Sequence, residues 1–131
     1  MFERPFLATI EQEPVPGGVI VTVTIGFRDR AFRGSAEGAG DPSLLPRLVG
    51  EATLRAVEAV DGGVGPCDLT AVGSTDLGPV RVALAQVRSP GWSDYLVGSA
   101  LVRDGDVAAA TAKAVLDAVN RHMTSTPKLT N

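Results

Sequence analysis

The chain has very little of the chemistry from which most enzyme active sites are built. Its 131 residues include one cysteine, Cys67, and one histidine, His122. A single cysteine cannot form an internal disulfide. One cysteine and one histidine cannot supply the four ligands of a structural zinc site. A cysteine nucleophile or a serine triad would have to use His122, close to the end of the sequence. We therefore expect no catalytic residues, no metal and no cofactor, and predict that the chain is not an enzyme.

Charge and hydropathy exclude further classes of function. The 12 basic and 15 acidic residues are interspersed and give a formal charge of −3, so no basic patch suited to nucleic acid is present. No apolar run approaches the ~20 residues of a membrane-spanning helix, and the N-terminus does not resemble a signal peptide. We expect no nucleic-acid partner, no membrane association and a cytoplasmic location.

Aromatic residues are also scarce, at 5%, although hydrophobic residues together make up 44% of the chain. The core must therefore be built from Val, Leu, Ile and Ala. The length is ordinary for one domain. We predict a single domain over residues 1–123 and a flexible tail at 124–131.

The most informative positive feature is a pattern that occurs twice. In each half, alternating apolar strands lead to the tripeptide Gly-Ser-Ala, at 34–36 and again at 98–100, and then to a Gly/Asp loop and an alanine-rich helix. A repeated supersecondary unit indicates two halves, about 4–61 and 66–123, that bury apolar faces against each other. We predict an α+β fold of two βββα units related by pseudo-twofold symmetry, with antiparallel sheets covered by helices.

Hydrophobic periodicity places the individual elements. It predicts a turn at Arg28–Arg30 and a short turn at 42–45 before a helix that starts near Pro46. Charged residues from Arg47 to Glu58 are predicted to form a solvated helix face with i,i+4 pairs. Strands are predicted at 4–12, 19–25, 31–38, 67–75, 80–84 and 93–103, and a second helix at 107–122.

Three further residues have structural interpretations. Cys67 is interpreted as a small buried hydrophobe. Trp92 either folds back over a sheet edge, which we favour, or forms an exposed contact for a partner. Asp117 is predicted to face water on the second helix.

The second helix carries a family resemblance. Residues 106–120 read Asp-Val-Ala-Ala-Ala-Thr-Ala-Lys-Ala-Val-Leu-Asp-Ala-Val-Asn. This run resembles the end of the regulatory (dimerisation) domain of 2-isopropylmalate synthases and citramalate synthases, whose fold is also two βββα units. The sequence departs from the family at Val115, where the family has an aromatic residue, and around Glu51. The His-x-His motif of the catalytic barrel is absent, so the synthase activity is not implied.

The resemblance implies a freestanding regulatory (allosteric) module. Such a module would bind a small amino-acid-like ligand between its halves, form a homodimer and act on a separate catalytic protein. Small residues would leave room for the ligand, and helix N-termini would offer N–H groups to a carboxylate. The implied ligand-binding positions are Gly34, Ser35, Ala36, Asp41, Gly98, Ser99, Ala100 and Asp106.

Other interpretations remain open. The small residues at these positions also suit tight packing of sheet on helix, and the two aspartates suit helix capping. A structural or protein-interaction subunit would have a filled interface between its halves and would form an oligomer. A small enzyme of unrecognised type would need a concave site that holds a titratable group with a perturbed pKa.

Overall fold

The computed structural model describes residues 4–60 and 65–125, and only the backbone of the last five of these. It confirms the predicted α+β fold, because two βββα units follow one another along the chain. The first unit contains β1 (Phe6–Val15), β2 (Gly18–Phe27), β3 (Arg30–Gly38), a short 3-10 turn (Pro42–Leu44) and α1 (Leu45–Glu58). The second contains β4 (Asp68–Leu77), β5 (Val80–Arg88), β6 (Leu96–Leu101) and α2 (Val107–Ser125).

The two antiparallel sheets repeat each other in detail. We call β1–β3 the first sheet and β4–β6 the second sheet; the middle strands are β2 and β5. The pairing of β1 with β2 shifts register between Leu7 and Thr9, and the pairing of β4 with β5 shifts between Leu69 and Ala71. These irregularities lie 62 residues apart, so the duplication extends to a local kink of the backbone.

Each helix covers its own sheet and also contacts the other unit. α1 packs on β2, β3 and β4, α2 packs on β5, β6 and β1, and the two helices contact each other. Gly50 on α1 allows this approach, because a Cβ there would lie 2.7 Å from the Leu69 side chain. One hydrophobic core contains residues of both units, among them the fully buried Val21, Val23, Ile25, Val49, Leu54, Val57, Val87, Val115 and Val119.

Several elements end at other residues than the sequence predicts. β1 continues to Val15 instead of ending at 12, because Pro14 lies on an edge strand, where a missing N–H is tolerated. β4 likewise continues to Leu77. The last strand is shorter than the predicted 93–103, because the backbone before it bonds locally: the Trp92 N–H donates to the Ser89 carbonyl over 2.9 Å.

The starts of both helices agree with the prediction, and the end of the second helix does not. The 3-10 turn at Pro42–Leu44 precedes α1, as the two prolines indicate. α2 continues to Ser125, past its predicted end at 122 and into the predicted tail. The rest of that tail, 126–131, and residues 61–64, where the two predicted halves meet, lie outside the described residues.

Candidate interaction surface

Gly34 and Gly98 are points of very close approach between sheet and helix. A Cβ on Gly34 would overlap the backbone of α1 at Ala52 and Ala56, and a Cβ on Gly98 would overlap the backbone of α2 at the equivalent turn, 114–118. In each helix the two atoms concerned are the carbonyl oxygen and the amide nitrogen that an i→i+4 hydrogen bond joins. The interpretation of these glycines as packing residues is confirmed.

The residues that follow the two glycines point to alternate faces. Ala36 and Ala100 turn inward and lie partly buried against the core. Ser35 is exposed, and its hydroxyl lies 3.0 Å from that of a threonine on β2. Ser99 is also exposed, and its N–H donates to the Asp117 carboxylate over 3.0 Å, so Asp117 links α2 to β6 instead of simply facing water. A ligand-binding role for these positions stays a prediction.

Asp41 and Asp106 both cap helical turns. The Asp41 carboxylate accepts hydrogen bonds from the N–H and the hydroxyl of Ser43, both at 2.9 Å. The N–H bond, followed by the hydroxyl bond, lowers the pKa of Asp41, because both stabilise the ionised carboxylate. Asp106 accepts the N–H of Ala109 over 2.9 Å at the start of α2. The capping interpretation is therefore confirmed for both residues.

The charged face of α1 holds the second unit, which the prediction of a solvated face did not anticipate. Arg47 forms the expected pair with Glu51, at 3.2 Å. Its guanidinium also donates to the carbonyl oxygen of Leu69 over 2.7 Å. This bond takes a backbone group of β4, an edge strand, so Arg47 joins the two units as well as facing water.

Two more residues of α1 fix the chain just before β4. Arg55 donates to the carbonyl oxygen of Cys67 over 2.8 Å, and the Cys67 N–H donates to Glu58 over 2.8 Å. Arg55 and Glu58 also pair with each other at 3.0 Å, although the i,i+4 spacing had predicted a pair with Glu51. Both backbone groups of Cys67 are thus held by α1.

The Cys67 side chain is a poor candidate for a nucleophile. It is buried, and burial, followed by the nearby Glu58 carboxylate, raises the pKa of the thiol to about 11. The thiol is therefore protonated at neutral pH, whereas a reactive cysteine needs the thiolate. The interpretation of Cys67 as a small buried hydrophobe is confirmed.

The described surface includes three shallow cavities. One of about 270 Å³ lies between the β1–β2 hairpin and the 3-10 turn and includes Gln12 and Asp41. A second, of about 310 Å³, lies between β1 and α2, beside Lys113 and Asp117. The third, of about 290 Å³, opens on the outer face of the second sheet around Gly73. Asp41 lines the first, but a carboxylate with a lowered pKa is a weak general base.

The outer face of the first sheet is suited to water. Strand register assigns to it the side chains that alternate with the buried Val21, Val23 and Ile25. Four of the thirteen outward positions that have an equivalent in the second sheet are charged, namely Glu11, Glu13, Arg33 and Glu37, and Ser35, Thr9, Thr22 and Thr24 add hydroxyl groups. Gly18, Gly26, Val15, Ile20 and Phe6, which is 61% exposed, complete the set.

The outer face of the second sheet is different at the equivalent positions. Two of its thirteen equivalent residues are charged, namely Asp68 and Arg88, which are register partners at the end of the sheet where β4 begins, and the other eleven carry no charge. Leu77 is 69% exposed, Val97 47% and Leu101 45%, all large values for side chains of this type. We call this surface the apolar face; it consists of Ala71, Gly73, Thr75, Leu77, Val80, Val82, Leu84, Gln86, Val97, Ser99 and Leu101.

The equivalence between the two faces follows from the repeat. Positions on the first two strands of each sheet correspond at a spacing of 62 residues, as Leu7 does to Leu69. Positions on the third strand correspond at 64, as Gly34 does to Gly98. Arg33 and Glu37 of the first sheet therefore correspond to Val97 and Leu101 of the second. Alignment of the two halves of the sequence is the signal that reveals the apolar face.

Comparisons with known proteins leave the chain without an assigned family. No protein-family model matches it, and a search of curated proteins finds no significant relative. In the described ranges, 4–60 and 65–125, no group of three or more His, Cys, Asp or Glu residues is placed to hold a metal ion. Within those same ranges, no helix is both long enough and apolar enough to cross a membrane.

Proposed function

We propose that the chain is a non-catalytic protein-interaction module, and that its apolar face binds an uncharged, apolar protein surface. The observation that carries this proposal is the contrast between two copies of one backbone. Away from the end of the sheet where Asp68 and Arg88 pair, eleven outward positions carry four charges on the first sheet and none on the second. Because the first sheet has the same strands and the same bulge, the fold itself does not require an apolar outer face.

The energetic cost of leaving this face in water supports the proposal. Antiparallel sheets with one face in solvent usually alternate apolar and polar residues, and contiguous exposed apolar patches mark interaction sites. Complete burial of a Val or Leu side chain contributes about 1.5–3 kcal/mol. Leu77, Val97 and Leu101 retain about half or more of their surface in water. A partner that covered these three alone would recover roughly 3 kcal/mol.

Site-specific photo-crosslinking tests the proposal directly. A photoreactive phenylalanine analogue replaces Val97 on the apolar face, and the matched control carries it at Arg33, the equivalent position of the first sheet. In cells that produce the chain, we expect protein–protein crosslinks from position 97 and few from position 33, with the crosslinked peptides sequenced by mass spectrometry. Equal crosslinking at the two positions, or none at 97, would refute the proposed function.

A regulatory, ligand-binding function is the second candidate, and one cavity favours it. The 270 Å³ groove combines the apolar walls of Val19 and Leu45 with the Gln12 amide and the ionised Asp41. That chemistry suits a small amine with an aliphatic part, which includes the amino-acid-like ligand implied by the family resemblance. Ligand at 100 times its Kd would stabilise the fold by about 2.7 kcal/mol.

A thermal-shift screen of branched-chain amino acids and simple alkylamines tests this second candidate. We expect a rise in Tm that Asp41→Asn removes and Asp106→Asn keeps, because Asp106 caps α2 and does not line this groove. A Tm that no compound in the screen changes would remove the amino-acid version.

A further inference from the structure

We infer that the occupant of the apolar face is a second copy of this chain, packed sheet on sheet about a twofold axis. The inference rests on the proposed function above and adds the identity of the partner. Charge, shape and area each bear on it.

Charge complementarity selects a self-contact on this face and opposes one on the other. Two apolar faces meet without burying any charge, because their polar members, Thr75, Gln86 and Ser99, are neutral. Each first-sheet face carries the carboxylates of Glu11, Glu13 and Glu37 and the single guanidinium of Arg33, a net charge of −2, so two such faces repel each other. The chain as a whole is acidic, with a formal charge of −3, so an uncharged face is where two copies meet at least electrostatic cost.

The shape of the apolar face is complementary to itself. At one end Leu77 projects from β4, and at the other a depression of about 290 Å³ lies around Gly73, where a Cβ would meet open space. We place the twofold axis between the two facing sheets, running across the strands at the level of Thr75. Leu77 of one copy then lies over the depression around Gly73 of the other. The symmetry makes this contact twice, as an isologous interface requires.

The size of the face fits a small dimer interface. At ~3.4 Å per residue and ~4.8 Å between strands, the face measures roughly 25 by 14 Å in plan. Two such faces bring together about 700 Å² in plan, and their accessible area is larger because side chains project from each sheet. The plan area lies below the ~1,200–2,000 Å² of total surface buried in stable complexes and in the range of weak, transient ones. We therefore expect a dimer that dissociates on dilution.

Sedimentation equilibrium over a wide concentration range measures the association. We expect the wild-type mass to approach twice the 13.5 kDa of the chain at high concentration. The double variant Val97→Arg/Leu101→Glu should stay at the monomer mass. It introduces the residue types that the first sheet carries at Arg33 and Glu37, so the strand geometry accommodates them.

The matched control adds the same two charges to the first sheet, as Thr9→Arg/Ser35→Glu, and should leave the dimer intact. A second measurement does not depend on the charged variant folding. Thr75→Cys, near the proposed axis, should crosslink to its own copy through a short bis-maleimide, and Glu13→Cys, its first-sheet equivalent, should not. Cys67 is buried and should remain unmodified in both.

The outcomes separate the two proposals. Loss of the dimer in the second-sheet variant alone, with crosslinking through Thr75→Cys, supports the inference. A wild-type chain that stays monomeric at every concentration overturns it, and the proposed function still stands if position 97 crosslinks to a different protein. A dimer that survives Val97→Arg/Leu101→Glu and is lost in the first-sheet control overturns the inference and removes support for the apolar face.

Discussion

Replacing Gly98 with alanine tests the packing that holds each sheet on its helix. The added methyl group would overlap the Ala114 carbonyl oxygen and the Ala118 amide nitrogen, the two ends of one hydrogen bond of α2. Backbone atoms cannot rotate away as a flexible side chain would. Either β6 and α2 move apart, or that helical hydrogen bond lengthens.

The expected cost follows from these two responses. Overpacking a core by a methyl group costs about 1–3 kcal/mol, and loss of a net hydrogen bond adds about 0.5–1.5 kcal/mol. Gly98→Ala should therefore destabilise the fold by about 2–4 kcal/mol. Gly73→Ala is the matched control, because a Cβ at that strand position meets nothing within 4 Å. It should stabilise the fold by about 0.5–1 kcal/mol, since glycine is entropically costly in a strand.

Urea unfolding followed by circular dichroism measures both changes. Both substitutions are made in the Val97→Arg/Leu101→Glu background, so that association does not contribute to the free energy of unfolding. Equal effects for Gly98→Ala and Gly73→Ala would refute the close-packing argument. A destabilisation by Gly98→Ala of less than about 0.5 kcal/mol would show that β6 moves away from α2 at little cost.

Three further predictions concern the contacts around Cys67 and the cap of α2. Arg55→Ala removes the donor to the Cys67 carbonyl oxygen and should lower the free energy of unfolding by about 1.5–3 kcal/mol in a urea titration. The control Arg81→Ala removes one partner of an exposed pair with Asp76 and should change the same free energy by less than about 1 kcal/mol. Because the folded-state pKa of the Cys67 thiol is raised to about 11 from an ordinary 9.0, its contribution to stability is complete below pH 9 and is lost between about pH 9 and 11. Across that pH range the free energy of unfolding should fall more steeply with pH for wild type than for Cys67→Ala. Equal slopes for the two proteins would contradict the raised pKa of the thiol. Asp106→Ala should cost about 1 kcal/mol through loss of the α2 cap, as a lower Tm.

The parts of the fold that were predictable are those with a local periodic signal. Alternating β-branched residues from Val19 to Ile25 define β2, and the Asp41-Pro42 pair before Pro46 gives both the turn and the start of α1. The two Gly-Ser-Ala tripeptides marked the repeat, and their glycines occupy equivalent places against the two helices. In each case neighbouring residues determine the structure, so no knowledge of distant contacts was needed.

The features that were missed depend on residues distant in the sequence. Arg47 and Arg55 have the i,i+4 spacing of an ordinary solvated helix face, and nothing local indicates that their guanidinium groups reach the Leu69 and Cys67 carbonyl oxygens. Alternation places Val97 and Leu101 on the same face of β6, but alternation does not say which face of a strand meets the core. That assignment needs the position of Gly98 against α2.

The two edge strands of the second sheet give a reason why association would use its face. On β4, Arg47 takes the Leu69 carbonyl oxygen, and Arg55 and Glu58 hold the backbone of Cys67 just before that strand. On β6, Asp117 takes the Ser99 N–H. Unpaired edge groups are what a strand from another chain would need for sheet extension, and on this sheet helix side chains already occupy several of them. The same bonds fix both edges of the sheet to helices, so the apolar face is ordered before any partner binds. Binding to an ordered surface costs less conformational entropy.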